Sequence, residues 1–236
     1  MSTLLLRMAA PLQSWGVASK FDIRDTAREP TKSGVVGLLA AALGRGRDQG
    51  TGDLNALRFG VRIDQPGTLL RDYHTATQNP KNPPFVTTRH YLADAVFLVG
   101  LEGEEDFLNT LMEALNKPHY PLYLGRRSCP PVGNLVIGLR RANLRRALEQ
   151  EPWQACRWFQ NKRGSETIKL TVVCDVGPGE KGAFMRRDVP VTFDQRHRQY
   201  TFRMVRDDFE KVEIRSLTGV SNEDPTEHDA MSEWRG

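Results

Sequence analysis

The chain has 236 residues, a net charge of +4 and 39% hydrophobic residues. This length allows one large domain or two small ones, and the apolar content suffices for a sizeable core. The charge is uneven, because residues 222–236 sum to −4 and the preceding body carries +8. A basic body of this kind is compatible with a polyanionic partner.

The composition excludes several classes of protein. The three cysteines are far apart and lack zinc-ligand spacing, so we expect buried thiols in a reducing compartment and no metal site. The apolar run at residues 4–6 is too short for a signal peptide, and no segment is long enough to span a membrane. We therefore expect a cytoplasmic protein with no membrane partner and no cofactor. No motif with catalytic spacing is present.

The predicted elements begin with a central strand at residues 3–8. Residues 30–44 predict a buried helix, because Thr31 or Ser33 can cap its start, Gly44 can end it, and nothing between Ser33 and Gly44 is charged. Alternation at residues 57–64 predicts a half-buried strand with a basic outer face. Further strands are predicted at 68–73, 91–101, 119–124 and 135–139, and helices at 104–116 and 144–149.

This order predicts an α+β fold whose residues 1–145 form a ferredoxin-like βαββαβ domain, the topology also used by the RNA-recognition motif. Residues 74–89 contain three prolines and no apolar periodicity, which predicts a protruding loop or irregular hairpin. Strands at 168–175, 188–193 and 200–205 predict a small, mostly β C-terminal domain over residues 146–221. Residues 222–236 are expected to be a disordered acidic tail.

The start of the predicted helix is basic, because Arg24, Arg28 and Lys32 surround it. Open N–H groups at a helix start carry partial positive charge and suit a phosphate. An ordinary capped core helix with solvated neighbours is the alternative.

Basic and aromatic clusters recur at the predicted loops of the first domain. Arginines, hydroxyls and backbone amides bind phosphates, and aromatic rings stack on unpaired bases. Each cluster alone is also typical of a solvated loop, but together they favour single-stranded RNA. The clusters are residues 13–15, 28–33, 72–75 with 89–91, and 125–128.

The chain resembles the CasD family, within the RAMP superfamily of CRISPR-associated proteins. Its matching motifs are APLQSWG at residues 10–16, PTKSGVVGLL at 30–39, LRDYHT at 70–75, RHYLADA at 89–95 and YLGRRSCP at 123–130. The resemblance covers the first domain in order and continues weakly at residues 186–193 and 200–202. It departs at the shorter, proline-rich segment between Thr75 and Arg89, which in the family forms a thumb beside the neighbouring backbone subunit.

This resemblance implies a non-catalytic subunit of the type I-E Cascade complex in antiviral defence. Such a subunit binds and caps the 5′ handle of the CRISPR guide RNA and contacts the backbone subunit and the large PAM-reading subunit, and through them target DNA. With the clusters above, the candidate RNA-binding residues are Gln13, Ser14, Trp15, Arg24, Arg28, Lys32, Ser33, Tyr73, His74, Thr75, Arg89, Tyr91, Arg126, Arg127 and Ser128. The candidate thumb contacts are Asn79, Pro80, Lys81, Pro83 and Phe85.

A metal-independent endoribonuclease is the main alternative function, and a generic RNA-binding regulator is a weaker one. Relatives in another CRISPR subtype cut the repeat RNA themselves. In this chain Lys32, Tyr73 and His74 could supply the acid–base groups for attack by a 2′-hydroxyl.

Overall fold

The computed structural model describes residues 1–16, 22–77, 84–163, 167–194 and 196–213. It has a mixed α+β architecture in which, among these residues, no helix combines the length and hydropathy of a membrane span. Its elements, in chain order, are β1 (Ser2–Ala9), β2 (Leu12–Gln13), β3 (Ile23–Arg24), α1 (Lys32–Ala42), α2 (Gly52–Ala56), β4 (Arg58–Gln65), β5 (Thr68–Ala76), β6 (Phe85–Ala93), β7 (Val96–Gly103), α3 (Glu105–Asn116), β8 (Val136–Arg140), α4 (Leu144–Gln150), α5 (Arg157–Arg163), β9 (Thr167–Asp175), β10 (Phe184–Thr192) and β11 (Gln199–Glu213).

A seven-stranded sheet with the order β10-β11-β9-β4-β7-β1-β8 forms the centre of the molecule. Its strands pair antiparallel. Successive side chains of a strand point to opposite faces, so Leu4 and Leu6 pack with α1 and α3 while Leu5 packs with α4. Both faces of the central strands are therefore covered. A Cβ at Gly100 would lie 2.7 Å from Leu144, so a glycine there lets α4 approach closely.

The second, smaller sheet contains the β5–β6 hairpin. The two strands pair from Thr68 with Ala93 to Ala76 with Phe85, and β2 and β3 also pair with β6. The predicted single strand at 91–101 is wrong, because the chain turns at Asp94, whose φ is 54°, and passes from β6 into β7 of the large sheet. Regular strands also extend into the segment 74–89 that was predicted to be a loop or irregular hairpin.

The strand predicted at 119–124 is also wrong. The N–H groups of His119 and Tyr120 donate to the carbonyl oxygens of Ala42 and Ala41. These carbonyls lie in the last turn of α1, where carbonyl groups need partners from outside the helix; that of Ala41 also accepts from the N–H of Gly44. The segment therefore supplies hydrogen-bond donors to the C-terminal carbonyls of α1 instead of pairing with the edge of a sheet.

The predicted basic outer face of residues 57–64 is not what β4 presents. The guanidinium of Arg62 is fully buried and donates to both carboxylate oxygens of Asp64 at 2.7 and 2.8 Å. It also donates to the carbonyls of Leu148, Glu151 and Pro152. Because the chain around α4 supplies these acceptors, the charge is buried without losing its hydrogen bonds.

The C-terminal strands extend the central sheet through the pairing of β9 with β4. The predicted boundary at residue 145 falls within α4, and the division into two domains stays a prediction. Sequence patterns did not indicate α5. The predicted acidic tail lies outside the described residues.

An ionic network fastens these strands to the start of α1; we call it the α1 network. The N–H of Lys32 donates to Asp188 at 3.0 Å, and its amine bonds Asp175 at 3.2 Å and the carbonyl of Leu57 at 2.8 Å. Arg203 donates to Asp188 at 2.6 and 2.9 Å and to Asp175 at 2.5 Å. One residue each of β9, β10 and β11 is thereby tied to a single helix start.

The α1 network is largely excluded from water, since its four charged side chains are at most 14% exposed. Burial by itself opposes the charge on Arg203, but the hydrogen bonds and charge of Asp188, together with Asp175, hold the pKa of Arg203 above its usual value. Removing one member of such a group leaves its partner's charge buried and uncompensated.

Replacing Asp188 tests the network. We expect Asp188→Asn to lower the free energy of unfolding by about 3–5 kcal/mol, as for other broken buried ion pairs. The matched control, Asp53→Asn, breaks the more exposed pair with Arg45 and should cost no more than about 1 kcal/mol. Urea unfolding followed by circular dichroism measures both, and equal losses in the two variants would contradict the assignment.

The environment of Cys174 gives a second prediction. Burial and, next, the carboxylate of Asp175 raise the pKa of this thiol to about 12. At pH 8 about one thiol in 10⁴ would then be the reactive thiolate. We expect iodoacetamide to modify Cys174 at pH 8 only after unfolding in urea, as measured by peptide mass spectrometry. Rapid modification of the folded protein would contradict this.

Candidate nucleic-acid interface

An open cleft of about 720 Å³ lies along α1; we call it the α1 cleft. Six separate parts of the chain line it. These are the loop after β2, the end of β3, helix α1 with the residues just before it, the loop after α1, the segment between α3 and β8, and residues beside the β10–β11 turn.

Small residues of α1 form the floor of the cleft. Gly34, Gly37 and Ala41 line it at helical spacing. Among the described residues, a Cβ at Gly37 would meet only Phe193, at 3.6 Å, whereas a Cβ at Gly34 would collide with the ring of Trp15 at 2.8 Å. The floor is therefore open beside Gly37 and closed by packing at Gly34.

The walls of the cleft combine cations and aromatic rings. The charged lining residues are Arg24, Arg47, Arg126 and Arg198, with Asp25 as the acidic one. The aromatic side chains that line it with Trp15 are Tyr120, Tyr123, Phe193 and Tyr200. Cations suit phosphates and rings suit unpaired bases, so this arrangement is chemically suited to a single-stranded nucleic acid.

Arg126 is held in place with part of its hydrogen-bonding capacity unused. Its guanidinium lies 4.5 Å from the ring centroid of Tyr91 and donates to the carbonyl of Arg24 at 2.8 Å. The other terminal nitrogen, Nη1, is buried without a partner among the described residues. An unpaired buried donor is costly, so an acceptor from a ligand would be bound favourably here.

A glycine permits this placement of Arg126. The neighbouring Gly125 has a φ of +88°, and a Cβ there would lie 1.6 Å from the carbonyl oxygen of Ser14. Any side chain at position 125 would push the turn away from the loop after β2. The GRRS turn recognised in the sequence is thus positioned by direct backbone contact.

Three candidate RNA-binding side chains make internal contacts instead. Gln13 donates to the carbonyls of Met8 and Ala95, and its oxygen accepts from the indole of the buried Trp15. Lys32 belongs to the α1 network. The carboxylate of Asp188 occupies the start of α1, which corrects the prediction that this end is open to a phosphate.

The structure brings some candidates together and disperses others. Ser14, Arg24, Ser33 and Arg126 line the α1 cleft, and Tyr91 lies buried beneath Arg126. Several more lie elsewhere on the surface: Arg28, Arg127 and Ser128 are exposed, as are Tyr73, His74 and Thr75 on β5. Arg89 is half-buried on β6. Asn79, Pro80, Lys81 and Pro83 lie outside the described residues, whereas Phe85 opens β6 and is 54% exposed.

Sequence reasoning missed most of the charged and aromatic side chains of the cleft. Those that line it without having been candidates include Arg47, Tyr120, Tyr123, Phe193, Arg198 and Tyr200. The basic run at 196–198 beside Tyr200 was a possible signal. It went unused because the C-terminal strands were expected to form a separate appendage, whereas β10 packs against α1.

The three groups proposed for RNA cleavage are not free to act together. The amine of Lys32 is engaged by Leu57 and Asp175, while His74 lies exposed on β5 with its Nδ1 4.0 Å from Asp72. Within the part of the chain that the structure describes, no three His, Cys, Asp or Glu residues are grouped to hold a metal ion.

Comparisons with known proteins agree on one family. The family model described as CRISPR-associated protein (Cas_Cas5) matches residues 3–206. The CRISPR system Cascade subunit CasD of Escherichia coli (strain K12) is 40% identical over 164 residues, covering 60% of this chain and 73% of that protein.

Two solved structures are similar over most of the chain. A chain of a CRISPR RNA-guided surveillance complex has a TM-score of 0.75 and 33% identity, covering 89% of this chain and 91% of its own length. A Cas protein crystal structure has a TM-score of 0.68 and 41% identity, with coverages of 88% and 94%. The chain therefore belongs to the CRISPR-associated protein (Cas_Cas5) family, as a subunit similar to CasD.

Proposed function

We propose that this protein is the non-catalytic subunit of a type I-E Cascade complex that binds and caps the 5′ handle of the CRISPR guide RNA. The observation that carries the proposal is the α1 cleft, in which Arg126 presents an unpaired donor among other arginines and aromatic rings. The similarity to the Cascade subunit CasD supports the same function.

The strand order supports a ferredoxin-like core. The strands β8, β1, β7 and β4 are antiparallel neighbours in that order, α1 connects β1 to β4, and α3 connects β7 to β8. This is the arrangement of a split βαβ unit. RNA-recognition motifs of this topology bind RNA on the open face of the sheet. Here α4 covers that face, so the RNA would bind along α1 instead.

Within the cleft, the arginines and the aromatic side chains would bind different parts of the RNA. Arg24, Arg47 and Arg198 would bind phosphates, which position a strand without reading its sequence. Arg126 would add a planar guanidinium, already stacked on Tyr91, for a base or a phosphate. The tyrosines would stack on bases that lack a pairing partner.

The β5–β6 hairpin is the proposed thumb that contacts the backbone subunit. Its consecutive residues Leu69 and Leu70 are both exposed, as are Tyr73 and Phe85. Neighbouring residues of a strand face opposite sides, so the hairpin exposes apolar groups on both faces. Exposed apolar surface of this kind is typical of a protein-binding site. Three further parts of the proposal rest on the family resemblance alone. They are contact with the PAM-reading subunit, indirect contact with target DNA and a cytoplasmic location.

Removing the two best-placed arginines tests the RNA site. We expect Arg126→Ala with Arg198→Ala to weaken binding of a handle-containing RNA at least about tenfold, because charged hydrogen bonds are lost. The salt slope should fall by about 0.7 for each lost phosphate contact. Fluorescence anisotropy of the full chain with labelled RNA, at several salt concentrations, measures both.

Arg141→Ala serves as the control, because Arg141 is exposed and pairs with Glu105 away from the cleft. If the double variant kept the affinity and slope of this control, the cleft would not be the RNA site. Gel analysis of the RNA after the assay tests the endoribonuclease alternative, since we expect the RNA to remain at full length.

Polar substitutions test the proposed thumb. We expect Tyr73→Ser with Phe85→Ser to reduce co-purification with the backbone subunit, while the unfolding transition stays unchanged because both rings are exposed in the free protein. Phe202→Ser is a matched control, since Phe202 is 55% exposed on β11. Normal assembly of the double variant would contradict a thumb contact.

A further inference from the structure

Helix α5 presents a basic and aromatic surface away from the α1 cleft; we call it the α5 patch. Its sequence, RWFQNKR, contains no acidic residue, and Lys162 and Arg163 form its last turn. Trp158 is 57% exposed. None of these residues lines the cleft, so the proposed RNA site does not explain the patch.

The patch is held rigidly from beneath. Phe159 packs edge-on against Trp153, with ring centroids 6.0 Å apart, and against Trp158 at 5.6 Å. The guanidinium of Arg163 lies 5.5 Å from the centroid of the same phenyl ring. Trp153 is buried in a small core cluster. The exposed indole of Trp158 and the neighbouring cations are therefore packed, through Phe159, against the core.

The sheet brings the end of β11 close to this helix. Glu213, the last described residue, pairs with Thr167 at the start of β9. Thr167 follows the end of α5 by only four positions in sequence. Glu213, from which residues 214–236 continue in sequence, therefore lies beside the start of β9 and close to the C-terminal end of α5.

That remaining chain has the opposite charge. Residues 222–236 contain five acidic side chains and one arginine, and nine residues separate Glu213 from Glu223. Nine residues span up to about 30 Å when extended, whereas a seven-residue helix is only about 10 Å long. The acidic groups can reach every part of α5, and a short tether keeps their local concentration in the millimolar range.

We propose that the acidic segment 222–236 docks on the α5 patch, with its carboxylates against Lys162 and Arg163 and its chain over Trp158. The docking is electrostatic, so salt weakens it. It neutralises a second basic surface of the molecule. The docking does not depend on the proposed function.

Fluorescence quenching of Trp158 tests the proposal. Trp15 and Trp153 are buried, so in a Trp234→Phe background an added quencher reports mainly on Trp158. We expect deletion of residues 222–236 to raise the acrylamide quenching constant about twofold at low salt, and the difference to vanish near 1 M salt, where screening is strong. Acrylamide is neutral, so its access reports on covering rather than on net charge.

Two variants and a peptide complete the experiment. Lys162→Glu with Arg163→Glu should give the deletion's quenching in the full-length chain, whereas Arg141→Glu with Arg146→Glu, on other exposed arginines, should not. A synthetic peptide of residues 222–236 carrying Phe at position 234 should restore the shielding of the shortened protein. The proposal is overturned if deletion leaves acrylamide quenching unchanged, or if single-stranded RNA shields Trp158 and the peptide does not.

Discussion

The carboxylate of Asp188 at the start of α1 is the interaction on which the rest of the structure depends. It accepts from the backbone of Lys32 and from Arg203, which in turn holds Asp175. A helix start favours a negative charge, and the protein supplies that charge from β10. Through this contact the C-terminal strands are fixed against α1. Three residues in or beside β10 and β11 thereby become a wall of the α1 cleft: Phe193, Arg198 and Tyr200.

This arrangement explains why the candidate interface lies along the side of α1 and not at its end. The end is filled by an internal anion, and helices cover both faces of the central strands of the large sheet. The surface that remains is the stripe of small residues on α1, bounded by the loop after β2, the turn at Gly125 and the C-terminal strands. Within it Arg126 has an unpaired buried donor. The open groove and the positive charge that suit a polyanion therefore lie at the same place.

Local signals made part of the fold predictable from the sequence. Helix α1 begins with a side-chain cap from Thr31 and is followed by Gly44 with positive φ, as its pattern indicated, and α3 matches its apolar periodicity. The failures involve distant partners. Arg62 looked like a surface charge because its acceptor Leu148 lies 86 positions away, and Lys32 looked free because Asp175 lies 143 positions away. Candidates such as Ser14 and Arg126 were identified from local sequence motifs. The place of Arg198 in the cleft could be seen only from the tertiary structure.

The separation between α1 and its anion also has a consequence for synthesis on the ribosome. Asp188 follows Lys32 by 156 positions, and translation at 5–20 residues per second makes this a delay of roughly 10–30 s. During that time α1 can form and pack on β1, but the ammonium group and open N–H of Lys32 have no counter-ion from the chain. The N-terminal half of the nascent chain therefore keeps one edge of β4 unpaired until the last three strands leave the ribosome. Those strands then complete the large sheet and the α1 network.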